Sequence, residues 1–301
     1  MTQSAVARET VDGVLLLDKP KGITSNAALQ RVKRLLAAKK AGHVGTLDPM
    51  ASGLLPICLG EATKFSGYML AADKTYTAEV MLGFTSSTGD AEGEITAGSP
   101  VNVTRERLKA ALEGFRGSIM QTPPMYSALK RDGKPLYAYA RAGEVVDIQP
   151  RAVTIHAIQL TEFIPPSFSM TVTCSKGTYI RVLAEDIGRA LECGGMLTGL
   201  RRVAVGNYDL SGAIALDALE ALPLDKRRSH LMPSDGLVAV LPVLTLDDAA
   251  ARLVATGRRP MVQSVAGLHR IYSRNGRFLG LGEVLGGELV PRRLMADVPA
   301  G

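Results

Sequence analysis

Cysteine and histidine are scarce in this chain, and their scarcity limits the chemistry that it can support. Three cysteines and four histidines occur among 301 residues. The cysteines (Cys58, Cys174 and Cys193) are odd in number and include no closely spaced pair, which argues against a disulfide framework and favours a reducing cytoplasm. The scattered histidines and cysteines lack the ligand spacing of a metal site. We therefore expect no structural disulfide and no bound metal.

Long apolar runs and phosphate-binding glycine motifs are also missing. No stretch of eighteen apolar residues occurs, so we expect no membrane span. Residues 1–10 have no apolar segment and resemble a flexible leader rather than a secretory signal. Neither a GxxxxGK loop nor a GxGxxG motif after a strand is present. The sequence therefore offers no support for a cofactor, and we expect none.

Positive charge is concentrated at the C-terminal end. The formal net charge is +6, residues 251–301 carry eight arginines against three acidic residues, and no lysine follows Lys226. Arginine presents a planar donor fork that suits phosphate. A basic module on a nearly neutral body favours a nucleic-acid partner, although a solvated basic surface would give the same pattern.

Apolar periodicity predicts an α+β fold. Alternating or apolar runs predict strands at 14–17, 76–82 and 170–174, with a further strand after 199–202. Ser25 is predicted to cap one helix, Thr104 to open a second and Arg181 to begin a third, which runs to Cys193 with Ala190 facing inward. Because strict βαβ alternation is absent, we predict a mixed, largely antiparallel central sheet with flanking helices. The polar segment 120–151 is predicted to leave the core.

The last part of the chain has a different pattern. A helix is predicted at 247–256, and short strands follow, separated by Asn275-Gly276 and Gly286-Gly287. Asn-Gly is the strongest two-residue hairpin signal. These features predict a small β-barrel-like module at 246–301. The main domain then spans residues 11–245.

Residues 42–49, Gly-His-Val-Gly-Thr-Leu-Asp-Pro, form the most constrained polar segment. Pro49 drives Asp48 out of the helical region. The glycines at 42 and 45 allow backbone angles that other residues avoid and leave room for a close ligand. We predict a rigid loop that holds Asp48 extended, although an isolated Asp is more often a simple turn former.

Three further segments carry reactive or recognition side chains. Lys74-Thr75-Tyr76 starts a strand, residues 175–181 precede a helix, and residues 199–202 precede a strand. Taken singly, Tyr76 would be core and Arg181 a surface ion-pair partner. Together they offer one carboxylate, one arginine, two tyrosines and a leucine. With no second obvious acid, this set does not fit a two-carboxylate glycosidase.

The same segments resemble the TruB family of tRNA pseudouridine synthases. The matching stretches, in family order, are VLLLDKPKG (14–22), GHVGTLDP (42–49), GEATK (60–64), QTPPMYSALK (121–130) and SKGTYIR (175–181). The resemblance covers about residues 12–205, and the second and fifth stretches are highly specific. The C-terminal module resembles the PUA-like RNA-binding domain of bacterial members.

This resemblance implies an enzyme that flips a uridine, breaks its N1–C1′ bond and rejoins the base through C5 without a cofactor. The implied substrate is uridine 55 in the T-arm loop of tRNA. Asp48 would be the essential carboxylate, ionised at pH 7 if its pKa keeps the ordinary value of about 3.9. Attack at C1′, attack at C6 and elimination at C2′ remain open. Tyr76 would stack on the base and help to remove the C5 proton, and Arg181 would keep Asp48 ionised and aimed.

The resemblance also implies the residues that bind the RNA. Tyr179 and Leu200 would line the base pocket, His43 would lie near the place of the displaced nucleotide, and Asp90 would bond the flipped nucleotide. Asp90 follows Ser86-Ser87-Thr88-Gly89, where family members often have Thr-Asp-Thr. Candidates for positioning or phosphate contacts are Lys19, Lys64, Lys130 and Arg202.

Two other functions fit parts of the pattern. A guide-RNA-dependent relative shares the aspartate loop and a PUA domain but works with partner proteins. A tRNA-binding folding chaperone would suit the basic C-terminal end. The long 120–151 segment is typical of stand-alone bacterial members, so we expect a monomeric, cytoplasmic tRNA-modifying enzyme with no obligate protein partner and no membrane attachment.

Overall fold

The structure is a computed structural model and describes residues 8–127, 129–144 and 146–296. The predicted leader, residues 1–10, lies outside the described residues except for its last three. Of these, Glu9 forms an isolated parallel bridge with Ala38. Within the described ranges, no helix is both long and apolar enough to cross a membrane.

Eighteen strands occur in the described part of the chain, and ten of them form the main sheet. In chain order the strands are β1 (Gly13–Lys19), β2 (Ala41–His43), β3 (Ala51–Leu59), β4 (Lys74–Leu82), β5 (Phe84–Ser86), β6 (Ile95–Ala97), β7 (Gly117–Gln121), β8 (Lys130–Arg131), β9 (Lys134–Pro135), β10 (Arg151–Ile164), β11 (Ser167–Cys174), β12 (Gly195–Val205), β13 (Tyr208–Asp209), β14 (Ile214–Ala215), β15 (Val243–Leu246), β16 (Gly267–Ser273), β17 (Phe278–Leu285) and β18 (Glu288–Leu294).

The main sheet has the order β14-β1-β3-β12-β4-β11-β10-β7, with β2 beside β3 and β13 beside β12. Its pairings are antiparallel except for β1 with β14 and β3 with β12. The alternation predicted for β4 is confirmed, because Tyr76, Ala78, Val80 and Leu82 are all buried. The mixed, largely antiparallel α+β fold is therefore confirmed.

Helices flank this sheet. They are α1 (Ser25–Leu35), α2 (Ser66–Leu70), α3 (Arg105–Gly114), α4 (Leu136–Arg141), α5 (Ile180–Ala190), α6 (Leu216–Ala221), α7 (Leu224–Arg228) and α8 (Asp248–Ala255), with 3-10 turns at Gly60–Lys64, Leu210–Gly212 and Ser234–Val238.

Two helix predictions need correction. The cap of α1 is Thr24, whose hydroxyl accepts from Ala27 N, and Ser25 is the first helical residue. The predicted helix 181–193 ends at Ala190, and Ala190 is exposed rather than inward-facing. Its C-terminal turn is closed by Cys193 N, which donates to the carbonyl of Gly188 over 3.2 Å. The chain therefore leaves the helix before Cys193.

A third correction concerns residues 199–202, which lie inside β12 rather than before a strand. This strand runs between β3 and β4, where Leu200 pairs with Ala51 and Ala78, and Arg202 pairs with Tyr76. Two arginines and a glycine obscure the strand pattern in the sequence. Its central position nevertheless places Leu200 and Arg202 beside the residues that begin β4.

The C-terminal β domain that the sequence predicts is confirmed as a four-stranded sheet of order β15-β16-β17-β18. Asn275-Gly276 connects β16 to β17, and Gly286-Gly287 connects β17 to β18, as predicted. β15 spans the predicted boundary near residue 245, which stays a prediction, as does the likeness to a PUA domain.

This C-terminal sheet packs directly on the main domain. Leu281 and Phe278 belong to the same apolar cluster as Phe65 and Val44, the latter from the octapeptide loop. The rings of Phe65 and Phe278 lie 5.3 Å apart. Lys64 Nζ donates to the carbonyl of Leu294 over 3.0 Å. The two domains therefore share a core that reaches the aspartate loop.

Replacing Leu281 with Ala is expected to lower the free energy of unfolding by about 2–5 kcal/mol, the usual loss for a fully buried leucine. Leu281 is 0% exposed, whereas Leu285 in the same strand is 47% exposed. Leu285→Ala is therefore the control and should change stability little. Denaturant unfolding measures both, and equal stability of the two variants would contradict the shared core.

Candidate active site

The octapeptide loop is held by hydrogen bonds from two buried side chains. Ser25 Oγ donates to the carbonyl of Leu47 over 2.9 Å and accepts from Leu47 N over 2.8 Å. The Arg202 guanidinium donates to the carbonyls of Gly45 at 3.0 Å and Leu54 at 2.7 Å. Gly45 has φ +73°, and a Cβ there would lie 3.2 Å from Arg202 Nη1. These contacts fix the backbone that leads to Asp48.

Asp48 ends this loop beside a buried arginine. Arg181 Nε lies 3.0 Å from Asp48 Oδ2 and 3.5 Å from Asp90 Oδ2. The side chains of Arg181 and Asp90 are each 5% exposed, whereas that of Asp48 is 36% exposed. Arg181 also donates to the carbonyls of Thr88 and Tyr126. One guanidinium therefore orients two carboxylates, of which only Asp48 is open to a ligand.

Asp48 does not keep the ordinary pKa of an aspartate. Burial in the cleft raises the pKa of Asp48, Arg181 opposes this rise, and the nearby Asp90 adds to it. Desolvation disfavours the charged carboxylate more than the arginine favours it. Asp90 is thus a second acid close to Asp48, which the sequence did not identify as part of the same cluster.

A cavity of about 550 Å³ opens beside Asp48. It is large enough for a nucleoside and has both apolar and polar walls. Six of the predicted site residues line it: Asp48, Tyr76, Tyr179, Arg181, Leu200 and Arg202. The structure therefore brings together side chains from the octapeptide loop, β4, the start of α5 and β12.

The two tyrosines of the cavity are held differently. Tyr76 is 9% exposed, and burial raises its pKa despite the nearby Arg202. Its phenol is therefore protonated at neutral pH. Tyr179 is held through its backbone, because Gln121 accepts from Tyr179 N over 3.0 Å and donates to its carbonyl over 3.3 Å. No sequence pattern marks Gln121, because its role depends on a contact between segments 58 residues apart.

Two predicted binding residues lie beside the cavity without lining it. His43 is half-buried on β2, and its Nδ1 has no hydrogen-bond partner among the described residues. Burial, followed by the charge of Arg202, lowers the His43 pKa. Asp90 is buried behind Arg181, where it accepts from Thr88 Oγ1 over 2.7 Å and Glu92 N over 3.0 Å. Its contacts fit the positioning of Arg181 better than a bond to a nucleotide.

The four candidate cations have separate surroundings. Lys19 is 0% exposed and donates to the carbonyls of Pro20 and Ile23, and burial lowers its pKa to about 8. Arg202 is also buried. The sequence leaves positioning and phosphate contact open as roles for these cations. Because Lys19 and Arg202 are both buried, positioning is the role that fits them. Lys64 pairs with Glu61 at 2.6 Å and joins the two domains, while Lys130 is exposed on β8.

Lys74 also lines the cavity, although the sequence assigns it no role. It is 6% exposed, and its Nζ donates to the carbonyls of Leu70 at 2.7 Å and Ala72 at 2.5 Å. Burial lowers its pKa to about 8, with a further contribution from Arg202. The residues that the structure describes include no cluster of His, Cys, Asp and Glu side chains able to hold a metal ion.

Three family models match the chain consecutively. Residues 33–180 match "TruB family pseudouridylate synthase (N terminal domain)". Residues 181–239 match "tRNA pseudouridylate synthase B C-terminal domain", and residues 242–295 match "Pseudouridine synthase II TruB, C-terminal".

Similar proteins agree with these matches. The chain is 56% identical over 295 residues to tRNA pseudouridine synthase B of Azoarcus sp. (strain BH72), covering 98% of each chain. It is 53% identical to the protein of that name from Methylobacillus flagellatus, covering 96% of each. A chain in the crystal structure of a Cbf5-Nop10-Gar1 complex superposes with a TM-score of 0.71 at 26% identity, covering 94% of this chain and 84% of that one. This chain therefore belongs to the TruB family and is a pseudouridine synthase, as its sequence predicts.

Proposed function

We propose that this protein converts uridine 55 in the T-arm loop of tRNA to pseudouridine, acting alone, with Asp48 as the essential carboxylate. The observation that carries the proposal is the partly open Asp48 carboxylate, held by buried Arg181 at the wall of a nucleoside-sized cavity. The named relatives are tRNA pseudouridine synthases B, which supports tRNA as the RNA.

The cavity walls suit a flipped pyrimidine. A base inside a folded loop must be extruded before an enzyme reaches it, at a cost of a few kcal/mol. Stacking on an aromatic ring stabilises the extruded base by about 1–3 kcal/mol. Tyr76 offers that ring on one wall, and Leu200 and Tyr179 offer further contacts. The flipped uridine would thus lie with its glycosidic bond near Asp48.

The reaction needs an ionised Asp48 by any of the three open routes. As a nucleophile the carboxylate attacks C1′ or C6, and as a base it removes the C2′ proton. In each route the N1–C1′ bond breaks, a C5–C1′ bond forms, C5 loses a proton and N1 gains one, and the bond to Asp48 breaks again or the proton taken from C2′ returns to it. Arg181 holds the carboxylate for this step. Tyr76 lies on the cavity wall, from which its phenol oxygen could relay the C5 proton.

Stand-alone action is supported by the segment between β7 and β10. It carries β8, β9 and α4 with exposed Tyr126, Tyr137 and Lys130, side chains that suit an RNA loop. The guide-RNA-dependent alternative would need partner proteins or a guide. The three cysteines are unpaired and buried, which supports a reducing compartment such as the cytoplasm.

Tritium release from an unmodified tRNA transcript labelled with 5-tritiated uridine tests the proposal. The purified protein alone should release tritium and leave pseudouridine in the T arm. A requirement for a guide RNA would overturn stand-alone action. Tight tRNA binding without release would instead favour the folding chaperone.

The rate should also depend on pH in a stated direction. Because the Asp48 pKa is raised from its ordinary 3.8, the ionised form is lost as pH falls through that raised value. Single-turnover rates should therefore decline on the acid side with a midpoint above 3.8, and Asp48 should cause no loss at higher pH. RNA binding measured in the same buffers is the control. A midpoint at or below that of free aspartate would contradict the assignment.

A further inference from the structure

The cavity lining carries an excess of positive charge. Its charged side chains are five cations and one carboxylate, Asp48. The cations are Lys74, Arg151, Lys176, Arg181 and Arg202. Because the carboxylate is already paired with Arg181, the remaining cations face the cavity without a balancing anion on its wall. Such a surface favours an anionic ligand.

Three of these cations are occupied by the protein itself. Arg181 donates to Thr88 and Tyr126 besides its carboxylates. Arg202 and Lys74 are buried and donate to backbone carbonyls. Arg151 and Lys176 differ, because both side chains are exposed. Neither has a side-chain hydrogen bond or ion pair to any residue in ranges 8–127, 129–144 and 146–296.

Arg151 and Lys176 are held on segments that are tied together. Arg151 begins β10 and pairs with Gln121, the residue whose side chain holds Tyr179. Lys176 follows Ser175, whose Oγ accepts from Thr154 N and whose N donates to the Thr154 carbonyl, both over 2.9 Å. The two cations therefore lie on the Tyr179 side of the cavity, on a supported backbone.

We propose that Arg151 and Lys176 together bind one backbone phosphate of the RNA adjacent to the flipped nucleotide. The inference rests on the proposed function, since it requires RNA at this cavity. When a base enters the cavity, its flanking phosphates stay at the rim, where these side chains lie. Arginine supplies a two-pronged donor and lysine a mobile point charge. Lys19 and Arg202 are buried and cannot reach an RNA phosphate, whereas Arg151 and Lys176 are exposed and can.

Charge removal at the rim tests this site. Lys176→Gln and Arg151→Gln should each weaken binding of a T-arm stem-loop by about tenfold and lower the salt dependence of binding by about one phosphate contact. Lys109→Gln, at an exposed lysine of α3 outside the cavity lining, is the matched control and should bind normally.

Replacing single phosphates of the RNA with an uncharged methylphosphonate identifies which phosphate Arg151 and Lys176 contact. Stem-loops with a single methylphosphonate at successive positions around the target should include one that weakens binding to the unaltered protein, weakens binding to Lys176→Gln or Arg151→Gln less, and does not weaken binding to the Arg151→Gln/Lys176→Gln double variant. Normal affinity and salt dependence in both rim variants would overturn the proposal, as would additive losses at every position. Binding is measured separately from tritium release, so an inactive protein would refute the proposed function without deciding this contact.

Discussion

Asp48→Asn is expected to lower the single-turnover rate of pseudouridine formation by roughly 10⁴-fold or more, the scale on which enzymes lose activity when a nucleophile is removed. An amide keeps the size of the side chain but is neither an effective nucleophile nor a base. All three open routes therefore stop at their first step. RNA affinity should remain within severalfold, because the cavity walls and rim are unchanged.

This variant should also fold. Arg181 Nε keeps Asp90 at 3.5 Å, and Arg181 Nη1 and Nη2 still donate to the carbonyls of Thr88 and Tyr126, so no buried charge loses its last partner. Tritium release measures the rate, and filter binding measures the affinity. Asp225→Asn, at an exposed aspartate of α7, is the control. A variant at position 48 that keeps ordinary activity would remove Asp48 from the reaction.

Arg181→Met should have the second largest effect, and it should affect stability and rate together. The change leaves Asp48 and Asp90 without the guanidinium that lies between them, and breaking a buried ion pair costs about 3–5 kcal/mol. Without Arg181, the Asp48 carboxylate is no longer aimed at the substrate, and the rate should fall by about a hundredfold. The Asp48 pKa should rise further, because Arg181 is the main group that lowers it.

Two comparisons separate the charge from the geometry of Arg181. Arg181→Lys keeps the charge but loses the planar fork, so it should retain more stability than Arg181→Met and still react slowly. Adding Asp90→Asn to Arg181→Met removes one of the two like charges and should recover part of the stability. The acid limb of the rate should move to higher pH in Arg181→Met. If Arg181→Met left both the stability and the pH midpoint of the acid side of the rate profile unchanged, Arg181 would not be holding Asp48 and Asp90.

The parts of the fold that the sequence predicts correctly depend on local signals. The alternation of β4 identifies a half-buried strand, and Asn275-Gly276 and Gly286-Gly287 identify the C-terminal hairpins. The constrained loop around Asp48 is local as well. Residues 199–202 show the limit of such signals, because this strand is specified by its neighbours β3 and β4 rather than by its own pattern.

The parts of the site that the sequence does not predict depend on contacts between distant segments. Asp90 reaches Arg181 because its backbone forms a β-bridge with Leu197 of β12. The spacing of residues in the chain does not predict the contact between Asp90 and Arg181. The sequence leaves Lys19 and Arg202 open between positioning and phosphate contacts, whereas the structure buries both and pairs them with backbone carbonyls. The raised pKa of Asp48 also follows from burial, which depends on the assembled cleft.

The C-terminal domain also supports the loop that carries Asp48. Its apolar cluster includes Val44 of the octapeptide loop, so deletion of residues 246–301 would disturb the aspartate loop as well as remove the basic surface. A loss of activity on truncation therefore cannot by itself be assigned to RNA binding. Single substitutions of exposed arginines in this domain separate the two contributions.

We propose that this protein uses Asp48 to isomerise uridine 55 of tRNA without a guide RNA. The most direct test is a T-arm stem-loop in which only that uridine carries the 5-tritium label. The unaltered protein should release the label in full, and Asp48→Asn should release none above background. Failure of the unaltered protein to release the label, or release only when a guide RNA is added, would contradict stand-alone isomerisation of uridine 55.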